Sequence, residues 1–445
     1  MSTWTGYSAI NIGTALAAAT LYTNVASGTT LTIGAATGQD VTYQLAGTSG
    51  ASSTVNVAIA GGATTGNLTA SSNLTLQDAN AVGVGTVNLA LSAGIANSTH
   101  TITTLTDSAL STLNISGNAS LVVTNAIVTG QTALTIADTN TSTGATTFGG
   151  ITATSLGALN YSGTHDATIT TLGTGTIANV TITNANTATT AGTGVLTISG
   201  HTDTGLTSLT LNGAVALTGT YATTSAATVS GATDNAAVTL TMAGAGGVKT
   251  ITLGNGADNV TTGSAADVIT LGNGANVVSS AAGNDVITVG TGGNTITGGT
   301  GGDLITLGAG TASSAIVQSA VAQTILGSVT SGTTALTLAA GADRVVGLQA
   351  GDTVNLTALT VNVYTAGALG TTLNGATGGT IEIVRGNWAS ATGIFTTSST
   401  GTDSVLQFNN SGTGGADATT QETIVLVGFV NTGSTTTIDG LITLA

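Results

Sequence analysis

The 445 residues carry 18 acidic side chains against three basic ones, Lys249, Arg344 and Arg385, for a net charge of −15. A nucleic-acid partner is excluded on that ground, because phosphate contacts are made by Lys and Arg. Hydrophobic residues are 41% and aromatics 3%, with neither Cys nor Pro, so the core is slim and aliphatic and no disulfide staples it. Length alone suggests about three domains, or fewer in an elongated fold. No stretch approaches the ~18 apolar residues that cross a bilayer.

Residues 1–30 read as a short helical or irregular segment, with Ile12, Leu16 and Ala19 on one helix face. No Lys or Arg precedes this apolar patch, so a cleaved secretory signal is not expected.

Residues 31–250 read as a Thr/Gly-rich series of short strands between Gly, Asn, Ser and Thr turns. Strand cores are Leu31–Ile33, Val55–Val57, Leu74–Leu76, Val87–Leu89, Leu134–Ile136, Val180–Ile182, Leu196–Ile198 and Val238–Leu240. Their alternation puts the aliphatics on one face. A longer repeat runs through Leu110, Leu156 and Leu206, each followed by a second leucine and then Gly117, Gly163 and Gly213. Imperfect coils of about 20–26 residues explain it, as in a right-handed parallel β-solenoid. An antiparallel sandwich array is the rival. The solenoid is preferred because the strands run straight into the next segment.

Residues 251–310 fall into nines: LGNGADNVT, TGSAADVIT, LGNGANVVS, SAAGNDVIT, VGTGGNTIT and GGTGGDLIT. The sixth position holds Asp258, Asp267, Asn276, Asp285, Asn294 and Asp303; the eighth is always Val or Ile. The fourth is Gly except at Ala265. The pattern is the nonapeptide calcium repeat. Glycines allow the tight turn, and carboxylates give calcium a hard, charged oxygen ligand. With two nonapeptides per turn, Asp267, Asp285 and Asp303 stack on one side, and Asp258, Asn276 and Asn294 on the other. Lys249 occupies the sixth position of a half-formed unit before Asp267 and ends that column. A metal-free Gly/Asn turn array is the alternative, and it has most force for the column with two Asn.

These nonapeptides resemble the RTX (repeats-in-toxin) β-roll of bacterial type I secretion, with Ala265, Ala281 and the two Asn as departures. The resemblance covers roughly 60 residues. It implies Ca2+ held by Asp258, Asp267, Asn276, Asp285, Asn294 and Asp303. It also implies an extracellular destination reached with an uncleaved carboxyl-terminal signal.

Residues 311–331 break the frame. Ile316, Ala320, Gln323 and Leu326 suit a capping helix. Residues 332–445 read as a β-rich carboxyl-terminal domain, with strands at 380–384, 394–396, 404–408 and 423–427. Asp343 and Asp352 are candidate further ligands. The series from Arg385 to Phe408, and then 422–429, is similar to the carboxyl-terminal region of RTX surface-layer proteins.

The expected fold is therefore all-β: a parallel β-solenoid continuing into a calcium-binding β-roll, with a β-rich carboxyl-terminal domain. His100, His165 and His201 lie apart, without Cys or a nucleophile motif, and read as turn or surface residues. No catalytic residue is expected. The expected function is a calcium-dependent, self-assembling surface-layer or filament protein whose partners are itself and a cell-surface polysaccharide. A secreted adhesin for carbohydrate or a host surface is the alternative, with ice binding the weaker variant of it.

Overall fold

Thr, Val, Ile and Leu in alternation give strands with one buried face, and Thr30–Ile33 and Thr54–Ala60 show that pattern without interruption. The structure is a computed structural model. It describes residues 7–444 except 37, 49, 62–66, 96–97, 187–190, 245, 319–334, 339–341, 357–364, 367–379, 410–420, 431–434 and 437–440. Among the described residues the only helix is a 3-10 turn at Gly50–Ser52. The chain divides into two compact units, 1–221 with 233–236, and 222–232 with 237–445.

The first unit is a parallel solenoid of two sheets. One sheet begins with Ala9–Ile12, Thr30–Ile33, Thr54–Ala60, Thr86–Ser92 and Thr112–Gly117, each parallel to the next. The other begins with Thr20–Val25, Val41–Leu45, Leu68–Gln77 and Thr99–Thr106, again all parallel. Successive strands alternate between the sheets, so each coil contributes one strand to each. Ile10, Leu31, Val57, Leu89 and Ile115 stack in register and are buried. Burial of each such side chain stabilises by roughly 1.5–3 kcal/mol.

The Leu110, Leu156 and Leu206 repeat marks every second coil. Strands Thr112–Gly117, Ala158–Gly163 and Ser208–Asn212 are separated in the sheet by Ala133–Asp138 and Asn179–Asn184. Coils are less even than expected. Asn56, Asn88 and Asn114 form a side-chain ladder at 2.8 Å, with partners 32 and 26 residues apart. The strands keep register while loops absorb the difference, because closure entropy rises only slowly with loop length.

Buried aspartates staple the turns. Asp107 Oδ1 accepts from the Val84 and Ala109 amides at 2.8 and 3.1 Å. Asp203 Oδ1 accepts from Gly205 at 2.8 Å, and Asp234 Oδ1 from Val215 and Ala236 at 3.1 and 2.9 Å. Burial pushes Asp107 up to about 7 and Asp234 to about 6.

Three expectations change. Residues 7–30, expected to be helical or irregular, form strands Ala9–Ile12 and Thr20–Val25. In-register pairing with Thr30–Ile33 lets Ile10 and Ile12 enter the core together at strand spacing. Ile316 lies in strand Ala315–Val317, paired with Thr295–Thr297 and Thr353–Asn355, whereas Ala320, Gln323 and Leu326 lie outside the described residues. The histidines are buried on strands, not exposed in turns: His100 at 0%, His165 at 4% and His201 at 0% exposure.

His201 shows how a buried imidazole is accommodated. Thr174 Oγ1 donates to Asp203 Oδ2 at 3.1 Å, so it accepts from His201 Nε2 at 3.0 Å. His201 Nδ1 then accepts from the Tyr221 hydroxyl at 2.8 Å. The ring is neutral and both nitrogens are satisfied. Burial lowers its pKa from 6.5 to about 4, against the opposing pull of Asp203. Between those values the unfolded chain takes up a proton that the fold refuses. The contribution is whole above pH 6.5 and is lost as pH falls towards 4, up to about 3 kcal/mol. Stability is expected to fall more steeply between pH 7.5 and 4.5 in the wild type than in His201→Asn. Parallel urea-melt profiles for the two would contradict this.

The second unit holds the nonapeptides. Lys249–Leu253, Val268–Thr270, Val286–Val289, Leu304–Leu307 and Asp343–Val346 run parallel in one sheet. Val238–Thr241, Asn259–Thr261, Val277–Ser279, Thr295–Thr297, Ala315–Val317 and Thr353–Asn355 run parallel in the other. The carboxyl-terminal strands Thr380–Ala389, Ile394–Thr397, Asp403–Asn409 and Gln421–Val427 pair antiparallel with one another. Leu336, Leu338, Val384, Phe395, Val405 and Val425 form a core there, with Trp388 packed against it.

Candidate metal centre

Each nonapeptide makes one short strand whose aliphatic centre points inward. Val260, Ile269, Val278, Ile287, Ile296 and Ile305 are all buried. Register joins residues 18 apart, Ile269 with Ile287 and Val260 with Val278, which sets the sixth-position side chains in two columns. The fourth-position glycines are required by the stack. A Cβ on Gly274 would lie 1.7 Å from Gly256 O, and one on Gly292 2.0 Å from Gly274 O. Ala281 is a strained departure, left-handed at φ 68° and exposed. Ala281→Gly is expected to stabilise the protein by about 1 kcal/mol, read as a higher urea midpoint. An unchanged or lower midpoint would contradict the strain.

In the aspartate column, the Lys249 amide donates to Asp267 Oδ1 at 2.7 Å and the Asp267 amide to Asp285 Oδ1 at 2.6 Å. The Asp285 amide donates to Asp303 Oδ1 at 2.9 Å, and the Asp303 amide to Asp343 Oδ1 at 3.0 Å. One oxygen of each carboxylate is thus used by the neighbouring coil. The other oxygen, Oδ2 of Asp267, Asp285 and Asp303, is buried without a hydrogen-bond donor; the Ser280 hydroxyl beside Asp285 gives its proton to Gly298 O at 2.7 Å. Burial pushes Asp285 up to about 7 and Asp303 to about 6.

The second column has the same backbone pattern and different chemistry. The Val238 amide donates to Asp258 Oδ1, the Asp258 amide to Asn276 Oδ1, and the Asn276 amide to Asn294 Oδ1, at 3.0, 3.1 and 3.1 Å. Asn276 Nδ2 donates to Gly272 O at 3.1 Å, and Asn294 Nδ2 to Gly290 O and Gly292 O at 3.1 and 2.6 Å. Asp352 continues this side, accepting from Ser314 N at 2.7 Å, while Ser314 Oγ accepts from Asn294 N at 3.2 Å.

Among the described residues no three His, Cys, Asp or Glu side chains converge on one point. A cation here would take carboxylates from successive coils together with loop carbonyls, an all-oxygen set suited to a hard ion. The donor-less oxygens of Asp267, Asp285 and Asp303 fit such an ion. The amides of Asn276 and Asn294 already occupy loop carbonyls. Two features were not evident in the sequence. Lys249 Nζ turns to Ser225 O at 2.8 Å and Gly247 O at 2.6 Å. Trp388 and Arg344, far apart in the chain, share the lining of a cavity of about 420 Å³ with Asn284 and Ser390.

No protein-family model and no curated protein matches the chain. Among the described residues no helix is long and apolar enough to cross a membrane.

Proposed function

We propose that this chain is a non-enzymatic structural protein of the bacterial surface that folds with calcium and assembles with copies of itself into a surface layer or filament. The observation that carries self-assembly is the sparsely charged surface of the first unit. Its residues include seven Asp and no Lys, Arg or Glu. Asp78, Asp107, Asp138, Asp203 and Asp234 are buried, which leaves Asp40 exposed and Asp166 half-buried. Little charge keeps such faces apart. Among the described residues Ala9–Ile12 pairs only with Thr30–Ile33, and Thr20–Val25 only with Val41–Leu45. Edge strands of monomers are ordinarily blunted by Lys or Pro, and neither guards these. The calcium part rests on the donor-less oxygens of the aspartate column.

Export by the type I route, with an uncleaved carboxyl-terminal signal, belongs to the same reading and rests on the RTX resemblance of residues 251–310. Light scattering after adding calcium to chelated protein tests assembly: ordered growth supports it, and a calcium-loaded monomer at high concentration overturns it.

A second reading, a carbohydrate-binding module, is favoured by the cavity beside Trp388 and Arg344. An aromatic face and planar polar groups suit a sugar ring. Ice binding is less well supported. Thr54, Thr86, Thr112 and Thr135 align, but the adjacent column is Asn56, Asn88, Asn114 and Ala137.

A further inference from the structure

The two sides of the nonapeptide stack share a backbone and differ in what meets the loop carbonyls. In the frame of nines, Gly247 and Gly292 hold the same fourth position, and Lys249 and Asn294 the same sixth. Lys249 Nζ reaches Gly247 O at 2.6 Å, and Asn294 Nδ2 reaches Gly292 O at 2.6 Å. Asn276 and Asn294 each also reach the second-position carbonyl, Gly272 O and Gly290 O, at 3.1 Å. At Asp267, Asp285 and Asp303 the side chain brings no donor, and one oxygen is left bare. Wherever the sixth residue carries nitrogen, it is bonded to a loop carbonyl.

We propose that Lys249, Asn276 and Asn294 are resident donors that close their loops without an ion, so that divalent cations enter the column of Asp267, Asp285 and Asp303 and are kept from the loops of Asn276 and Asn294. Lys249 is a cation supplied by the chain itself. It is 1% exposed, its main-chain amide donates to Asp267 Oδ1 at 2.7 Å, and its ammonium, held by Ser225 O and Gly247 O, attracts Asp267 from the start of the aspartate column. The stack is then half permanently closed and half closed by metal. This rests on the calcium reading only for the aspartate column; the donor role stands without it.

The full chain is tested by counting bound calcium in equilibrium dialysis and by melting in chelator. In chelator, Asn294→Ala and Lys249→Met are expected to melt several degrees below wild type, because carbonyls lose their donors. In calcium, Asn294→Ala is expected to bind as many ions as wild type. The double variant Asn276→Asp/Asn294→Asp is expected to bind at least one more ion, with a wider gap between its melting points with and without calcium. Loss of an ion in Asn294→Ala, or no extra ion in the double variant, would overturn the proposal. If wild type binds no calcium, the calcium reading falls, and the chelator melts still decide the donor role: unchanged melting of both single variants would sink it.

Discussion

Calcium removal is expected to destabilise the aspartate column of the second unit and to lower the melting temperature of the whole chain. Asp267, Asp285 and Asp303 are 1%, 1% and 0% exposed, and each carries one oxygen that no donor reaches. Successive strands lie ~4.8 Å apart, so neighbouring carboxylates in the column face each other at close range. Where both are ionised, two like charges ~5 Å apart repel by roughly 3 kcal/mol at an effective dielectric of 20. A divalent ion between them reverses the sign. Binding to the folded state alone adds about 2.7 kcal/mol per site at a hundredfold excess over Kd. Extracellular calcium modules bind at about 10⁻⁴–10⁻³ M, so such sites would be empty at cytosolic calcium, leaving the fold less stable, and would fill outside. Circular dichroism with and without a chelator is the measurement. Equal strand content and equal melting in both would defeat calcium as the cofactor.

The part of the fold that was legible in the sequence is the part with strict spacing. A period of nine fixes Ile269, Ile287 and Ile305 inward and Asp267, Asp285 and Asp303 in one column, and the register 18 residues apart follows from it. The alternation in Leu31–Ile33 or Val87–Leu89 likewise fixes strand and face. What alternation does not encode is which sheet a strand joins, or how long a coil is. Both are set by loops, and loops are tolerant of length. Residues 9–25 misled because Ile12, Leu16 and Ala19 fit a helical period, while the open edge of Thr30–Ile33 was invisible. Tertiary pairing overrode local pattern there. The histidines misled for a similar reason. A Thr/Gly-rich setting reads as a turn, and the partners of His201, namely Thr174 and Tyr221, are 27 and 20 residues away. Lys249 was legible as the end of a column but not as a donor to carbonyls, since the direction of a long side chain has no signature in spacing.

Replacement of Gly301 by alanine is expected to be far more damaging than the same change at Gly293, although both are glycines of the nonapeptide loops. Gly301 has φ +129°, a region in which a side chain is strained by roughly 1–3 kcal/mol. Its Cβ would also lie 1.7 Å from Gly283 O, well inside contact distance. Backbone, not a movable side chain, is what it meets. Gly283 has little room to yield, because its own α-carbon faces Ala265 O, 2.3 Å from where a Cβ would sit. Relief would require separating two coils, and that would break the Asp285 to Asp303 hydrogen bond at 2.9 Å and the pairing of Ile287 with Ile305. At Gly293 the nearest atoms to a new Cβ are Ser313 O at 3.1 Å and Ala312 Cβ at 3.7 Å, and φ is not positive. Gly301→Ala is expected to cost more than about 4 kcal/mol, the range of severe single substitutions. Gly293→Ala is expected to stay within about 1 kcal/mol. Thermal melts of both variants in saturating calcium compare them directly. Similar melting temperatures for the two would show that the coils are not stacked as tightly as the Gly283 carbonyl requires.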